Sequence, residues 1–200
     1  EPLTATDYSV AVSGSAADVA AALAGTFGSS YTGAVTLSDN HTLAELVAIN
    51  NGTSGNITLN SNAVALTGST ADLKAALAGT FAAAFTGNIV ITDANATSMA
   101  ASDITTIADA TNGTVTVSNN INISGTSAAI ATAVGNVDTF SGSPTATLSD
   151  AHTLTQLKAI NNAISGTITL NDSSVALSGS SSEIAVALTG IASYTGNITL

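Results

Sequence analysis

Two histidines, His41 and His152, are the only imidazoles in this 200-residue chain, and both stand in the frame Ser-Asp-x-His-Thr-Leu. A carboxylate so close to an imidazole suggests a metal-ligand pair or an acid/base dyad, Asp39 with His41 and Asp150 with His152. The competing reading is a turn, in which Asp closes an Asx-type bond and His sits just ahead of a helix N-cap. A third copy of the frame, Thr92-Asp93-Ala94-Asn95, has no His, which favours the turn. If the copies stack as strands, His41 and His152 lie about 19 Å apart and cannot share a metal. Asp39, Asp93 and Asp150 are weak candidates for calcium. That ion takes about six to eight oxygens, and carboxylates two strands apart are about 9.6 Å from each other. At most a weak single-copy calcium site is expected, and no other cofactor.

Little else could do covalent chemistry. The chain has no Cys, and Lys74 and Lys158 are its only basic side chains besides the histidines. Neither a Gly-x-Ser-x-Gly elbow nor a non-repeated carboxylate pair stands out, so no enzyme is expected. A different chemistry is offered by Thr36, Thr58, Thr116, Thr147, Thr169 and Thr199, each in the middle of an apolar triplet, with Thr4 and Val90 in the same place. In a strand the flanking apolar residues point inward and the middle residue outward. The result is a Thr ladder that would suit ice or a glycan, although Thr is also simply a good strand former.

The triplets that carry this ladder are a repeat. Their centres fall at 36, 58, 90, 116, 147, 169 and 199, with Leu3-Thr4-Ala5 as a degenerate eighth copy. Short and long spacings alternate along this series, so two half-repeats form one unit. Three residues before each clear centre stands Gly33, Gly55, Gly87, Gly113, Pro144, Gly166 or Gly196, read as chain reversals with positive φ. Capping boxes at Ser15/Asp18, Thr42/Glu45, Ser69/Asp72, Thr153/Gln156 and Ser180/Glu183 predict helices after the strands. The middle copy takes up a short insertion over 94–101, after which Ser102, Ile104 and Ile107 match again. The long half adds a second triplet before its helix: Val10-Ala11-Val12, Val64-Ala65-Leu66, Ile121-Asn122-Ile123 and Val175-Ala176-Leu177. Tyr31, Phe85, Phe140 and Tyr194 are expected beneath the helices, closing the interior.

Strands alternating with helices imply parallel strands and crossover helices. The expected fold is an α/β repeat solenoid, with a parallel sheet on one side and helices on the other. One array would cover 1–200, in units of about 8–59, 60–117, 118–170 and a partial 171–200. The chain, which starts at Glu1 and ends at Leu200 within an expected strand, reads as a segment of a longer protein.

Composition narrows the partners. Thirteen acidic residues against two Lys and Arg give a net charge of −11. Such a surface excludes nucleic acid, which needs a basic face, and no apolar run is long enough for membrane insertion. The remaining partners are adjacent repeats, end-to-end self-association and a glycan.

The stretch Ile57-Thr58-Leu59-Asn60-Ser61-Asn62 resembles the strand segment L-x-L-x-x-N of leucine-rich repeats, as do 35–40 and 115–120. The L-x-x-L lead-in is missing, so the likeness is one of architecture. Over nearly its whole length the chain resembles the Ala/Thr/Ser/Asn/Gly-rich repeats of large secreted surface proteins of marine bacteria and cyanobacteria. The resemblance implies an extracellular or cell-surface location and a structural role as spacer, adhesin stalk or surface-layer component. The alternative is a binding module that uses the Thr face. The calcium nonapeptide G-G-x-G-x-D is absent, so its ion-binding mode is not implied.

Overall fold

The computed structural model describes residues 7–25 and 27–200. The expected strand Leu3 to Ala5, with Thr4, lies outside the described residues. The protein is α/β, with seven helices and only parallel strand pairs among the described residues. Two compact units divide the chain, Glu1–Val90 with Asp109–Thr114, and Ile91–Ala108 with Val115–Leu200.

The first unit runs β1 (Val12–Gly14), α1 (Ala16–Leu23), β2 (Val35–Leu37), α2 (Leu43–Gly52), β3 (Ile57–Thr58), β4 (Leu66–Gly68), α3 (Thr70–Leu77) and most of β5 (Ile89–Ile91), whose last residue falls in the second unit. Strands β1, β2 and β3 form one sheet, with Val12, Val35 and Ile57 in register, and Phe81 bridges to Ile57. Strand β4 pairs with β5 in another. Helix α2 packs on both α1 and α3. Leu46, Ile49, Ile57, Leu73 and Ile89 are wholly buried beneath these helices.

The second unit contains β6 (Ser98–Ala100), α4 (Ala101–Asp109), β7 (Val115–Val117), β8 (Asn122–Gly125), α5 (Ser127–Gly135), β9 (Thr139–Phe140), β10 (Thr145–Leu148), α6 (Leu154–Ala163), β11 (Ile168–Thr169), β12 (Leu177–Ser178), α7 (Ser181–Leu188) and β13 (Ile198–Thr199). Its sheets are β6-β8-β10-β11, β7 with β9, and β12 with β13. Helix α6 packs on α5 and α7.

One continuous row of the main triplets is therefore not what forms. Helix N-caps recur at an even step, at Ser15, Thr42 and Ser69, and again at Thr126, Thr153 and Ser180. Paired strand residues lie closer together along the chain than the caps do, as with Val12, Val35 and Ile57 or Leu177 and Ile198. Each strand in a row thus begins earlier relative to its helix. Strand β1 ends at Gly14, directly before the cap Ser15. Strand β2 ends at Leu37, a short turn before Thr42, and β3 at Thr58, a long loop before Ser69. Strands β8, β10 and β11 end at Gly125, Leu148 and Thr169, and so stand at the same three offsets from Thr126, Thr153 and Ser180. After that the row runs out, and a new strand just before a helix starts another. Packed helices need about 8–10 Å and paired strands about 4.8 Å, so a single row could not keep step with the helices. The alternating spacing in the sequence is the trace of this drift. The second triplet of the long half starts the rows at β1, β4 and β12, whereas in β8 it is the second strand of its row. The expected insertion over 94–101 holds such a starter, β6.

The recurring glycines have another cause than the expected one. Among the described residues only Gly125, Gly190 and Ala96 have positive φ. At Gly55 an added Cβ would lie 2.1 Å from the Gly33 carbonyl oxygen, and at Gly166 2.2 Å from that of Pro144. These positions are bare because the backbone of the preceding coil passes there.

Candidate functional site

The Ser-Asp-x-His-Thr-Leu frames form tight connections from β2 to α2 and from β10 to α6. Thr42 caps α2: its Oγ1 accepts the Glu45 N–H while Glu45 Oε2 accepts the Thr42 N–H at 2.8 Å. Thr153 and Gln156 close the same box on α6. At Ser15 and Ser69 the acid is Asp, one methylene shorter, and it bonds the Ser hydroxyl instead.

The capping leaves each histidine facing inward. His41 and His152 are each only 3% exposed, and neither ring nitrogen of either has a hydrogen-bond partner. His41 lies 6.3 Å from the Phe85 ring, and His152 lies 6.0 Å from Tyr194, centroid to centroid. Burial pulls both imidazoles below their ordinary pKa. Glu45 opposes this weakly at His41, as Asp172 and Asp150 do at His152.

No Asp–His dyad forms. Asp39 Oδ1 accepts the backbone N–H of Ala16, and Asp150 Oδ1 that of Ser127, each at 2.7 Å. The expected local Asx bond is replaced by a cap on the first turn of the preceding helix, α1 or α5. These N–H groups have no partner within their own helix, and an anion is favoured there. Spacing within the frame could not reveal this, because the partner lies 23 residues away. At Asp93 the backbone carbonyl accepts from Asn119 Nδ2 at 2.8 Å. Among the described residues no three His, Cys, Asp or Glu side chains gather as a metal site.

The Thr residues fall into several short rows. Thr36 and Thr58 are exposed in register with Ser13. Thr147 and Thr169 align with Ser124, and Thr147 donates to Asn122 Oδ1 at 3.1 Å, leaving it half-buried. Thr116 pairs with Thr139, and the exposed Thr199 with Ser178.

Tyr31 and Phe85 are buried as expected. The hydroxyls of Tyr31 and Tyr194 donate to the Val10 and Val175 carbonyls. Burial, then the charge of Asp172, raises the Tyr194 pKa. Phe140 departs from the pattern, because it stands in strand β9 and pairs with Val117.

Clefts recur beside the helix C-termini. One of 390 Å³ is edged by Phe81, Phe85, Thr111 and Asn112 in the first unit, and one of 500 Å³ by Phe140, Asn162 and Ser165 in the second. No helix among the described residues is long and apolar enough to cross a membrane. The fold defines an α/β protein with parallel sheets. The chain matches no known protein family, no curated protein and no solved structure.

Proposed function

We propose that the chain is a structural repeat segment, an α/β solenoid serving as spacer, adhesin stalk or surface-layer component of a secreted or cell-surface bacterial protein. The observation that carries this reading is the drift of strand ends away from the helix caps. It recurs position for position in both units, from Gly14, Leu37 and Thr58 to Gly125, Leu148 and Thr169, against evenly stepped caps. A chain that repeats one packing solution coil after coil is built to extend. Asp39 and Asp150 cap helices and His41 and His152 are sealed in the interior, which suits a mechanical role. Its partners would be further coils of the same kind. Ile198 and Leu200 are 46% and 80% exposed, whereas the equivalent Val35 and Leu37 are 0% and 3%.

Two copies joined in tandem by a native-length coil test this. Small-angle scattering should show the long dimension growing in proportion to length with the cross-section unchanged. Two compact, independently tumbling bodies would overturn the solenoid reading. Separately, light scattering of the single segment should show end-to-end association that grows with salt, as screening weakens repulsion between chains of charge −11.

The second reading, a glycan- or ice-binding module, is favoured by the exposed row Ser13, Thr36 and Thr58. Binding of a neutral oligosaccharide, or ice shaping, that is lost in Thr36→Ala with Thr58→Ala would support it.

A further inference from the structure

His41 and His152 pose the same puzzle twice. A neutral imidazole has one N–H donor and one acceptor nitrogen, and in both rings each goes unmatched in a site closed to solvent. Such a group costs stability at neutral pH that a leucine or phenylalanine in its place would not. Each unit carries it at the same point, directly before the N-cap of the central helix of a packed trio.

We propose that these two turns are acid-release latches: uptake of one proton by His41 or His152 opens the turn and frees α2 or α6 from the coil. The imidazolium has nowhere favourable to stay. Its two N–H donors find no acceptor, and aromatic carbon faces it, from Phe85 at His41 and Tyr194 at His152. The positive end of a helix dipole adjoins it. The charged groups in range are Glu45 at His41, and Asp172 and Asp150 at His152. Neither histidine bonds to them, and Asp150 is already committed to Ser127. Moving the ring into water is the way to accommodate the charge.

The unfolded imidazole titrates at 6.5 and the folded one lower. Below 6.5 the unfolded state therefore binds more protons, and stability present above that pH is lost as pH falls. If the folded ring stays neutral at pH 5, each histidine shifts the folding equilibrium by up to about 30-fold. His152, facing two carboxylates, contributes the smaller part.

Urea titrations from pH 8 to 5 on wild type, His41→Leu, His152→Leu and the double variant test the latch. Wild type should weaken steeply below pH 6.5. The double variant should be more stable at pH 8 and nearly flat to pH 5, with His41→Leu removing more of the slope than His152→Leu. Amide exchange on the unaltered protein, corrected for intrinsic rate, gives an independent readout should a variant fail to fold. Amides of α2 and α6 should lose protection before those of α3 and α7. Three results overturn the proposal: a flat wild type, an undiminished slope in the double variant, or imidazole resonances titrating near 6.5 with exchange unchanged.

Discussion

The turn into α2 and the turn into α6 have nearly the same sequence, yet the two helices close their C-terminal ends by opposite means. After α2 the C-cap is Thr53, 8% exposed; its Oγ1 donates to the Gly33 carbonyl at 2.8 Å and accepts the Gly55 N–H at 2.9 Å. After α6 the C-cap is Ile164, 5% exposed, and the backbone bond from Gly166 N–H to the Pro144 carbonyl at 3.1 Å ties the coils directly. The position demands that something fill it and that the carbonyl of the previous coil be satisfied. It does not demand a particular chemistry. Other contacts are the same in both. Asn50 and Asn161 each send Nδ2 to a carbonyl near the end of the next helix, Ala75 at 2.5 Å and Ala187 at 2.6 Å. Residues kept in both copies make contacts from one coil to the next, and residues that vary exchange one way of filling space for another.

The strongest way to break this equivalence is through the shared core. Ile49 and Ile160 are both 0% exposed on the inner faces of α2 and α6. Ile49→Asp and Ile160→Asp should each unfold their own unit, costing more than about 4 kcal/mol for a buried unpaired charge. Thr58→Asp and Thr169→Asp, on exposed strand positions, should stay within about 0.5 kcal/mol. Thermal melts of the four variants decide it, and equal sensitivity at both kinds of position would refute the assigned strand faces.

Next in size is the close approach of backbones. Gly166→Ala puts a methyl 2.2 Å from the Pro144 oxygen, a neighbour that cannot swing away. A loss of about 1–3 kcal/mol is expected from overpacking. Gly135→Ala, in the open at the last residue of α5, should be neutral or gain up to about 1 kcal/mol. Chemical denaturation separates the two, and similar effects at both would mean that repeat position, not contact, explains the glycines.

Swapping the C-caps should have a smaller effect. Thr53→Val keeps the shape but strips the Gly33 carbonyl and Gly55 N–H of a partner, costing about 1–2 kcal/mol. Ile164→Thr should cost a similar amount, because it exchanges buried apolar surface for a hydroxyl whose counterpart acceptor, the Pro144 carbonyl, already takes the Gly166 N–H. If both swaps prove silent, the two ends are not distinct solutions.

What the sequence makes legible follows from this division. Helix starts could be read from pairs such as Thr42 with Glu45, because a cap is a local device that needs no tertiary information. Burial of Leu46, Ile49, Leu157 and Ile160 was legible from helical spacing for the same reason. The pairing of strands was not. Drift between helix and strand steps arises only when coils pack, so the main triplets looked like one row. The recurring glycines were visible, but their cause lay in a carbonyl of the previous coil. Asp39 and Asp150 stand beside a histidine in the sequence, while their partners Ala16 and Ser127 belong to another helix. Nothing local marked either His as unpartnered.

The smallest expected effect concerns the ion pair between α6 and α7. Lys158 Nζ on α6 meets Glu183 Oε1 on α7 at 2.7 Å, whereas the α2 position corresponding to Lys158 is Val47. The bond to Lys158, reinforced by Ser180, holds the Glu183 carboxyl down at about 2, below its ordinary 4.5. Between those two values the unfolded state takes up a proton that the folded state does not. The contribution is therefore present above pH 4.5 and is lost as pH falls towards about 2. This window lies below that of the histidines, so the two effects can be separated. Both side chains are substantially exposed, at 30% and 43%, and water and salt weaken the pair. Lys158→Val, which copies the first unit, should make the acid limb of the second unit shallower without abolishing it, since Ser180 still donates to Glu183. The gap between wild type and variant should narrow in about 1 M salt, where the Debye length is about 3 Å. Stability measured from pH 5 to 2 at both ionic strengths is the check. An acid limb that does not change in Lys158→Val would show that the pair seen between α6 and α7 is geometry without energetic consequence.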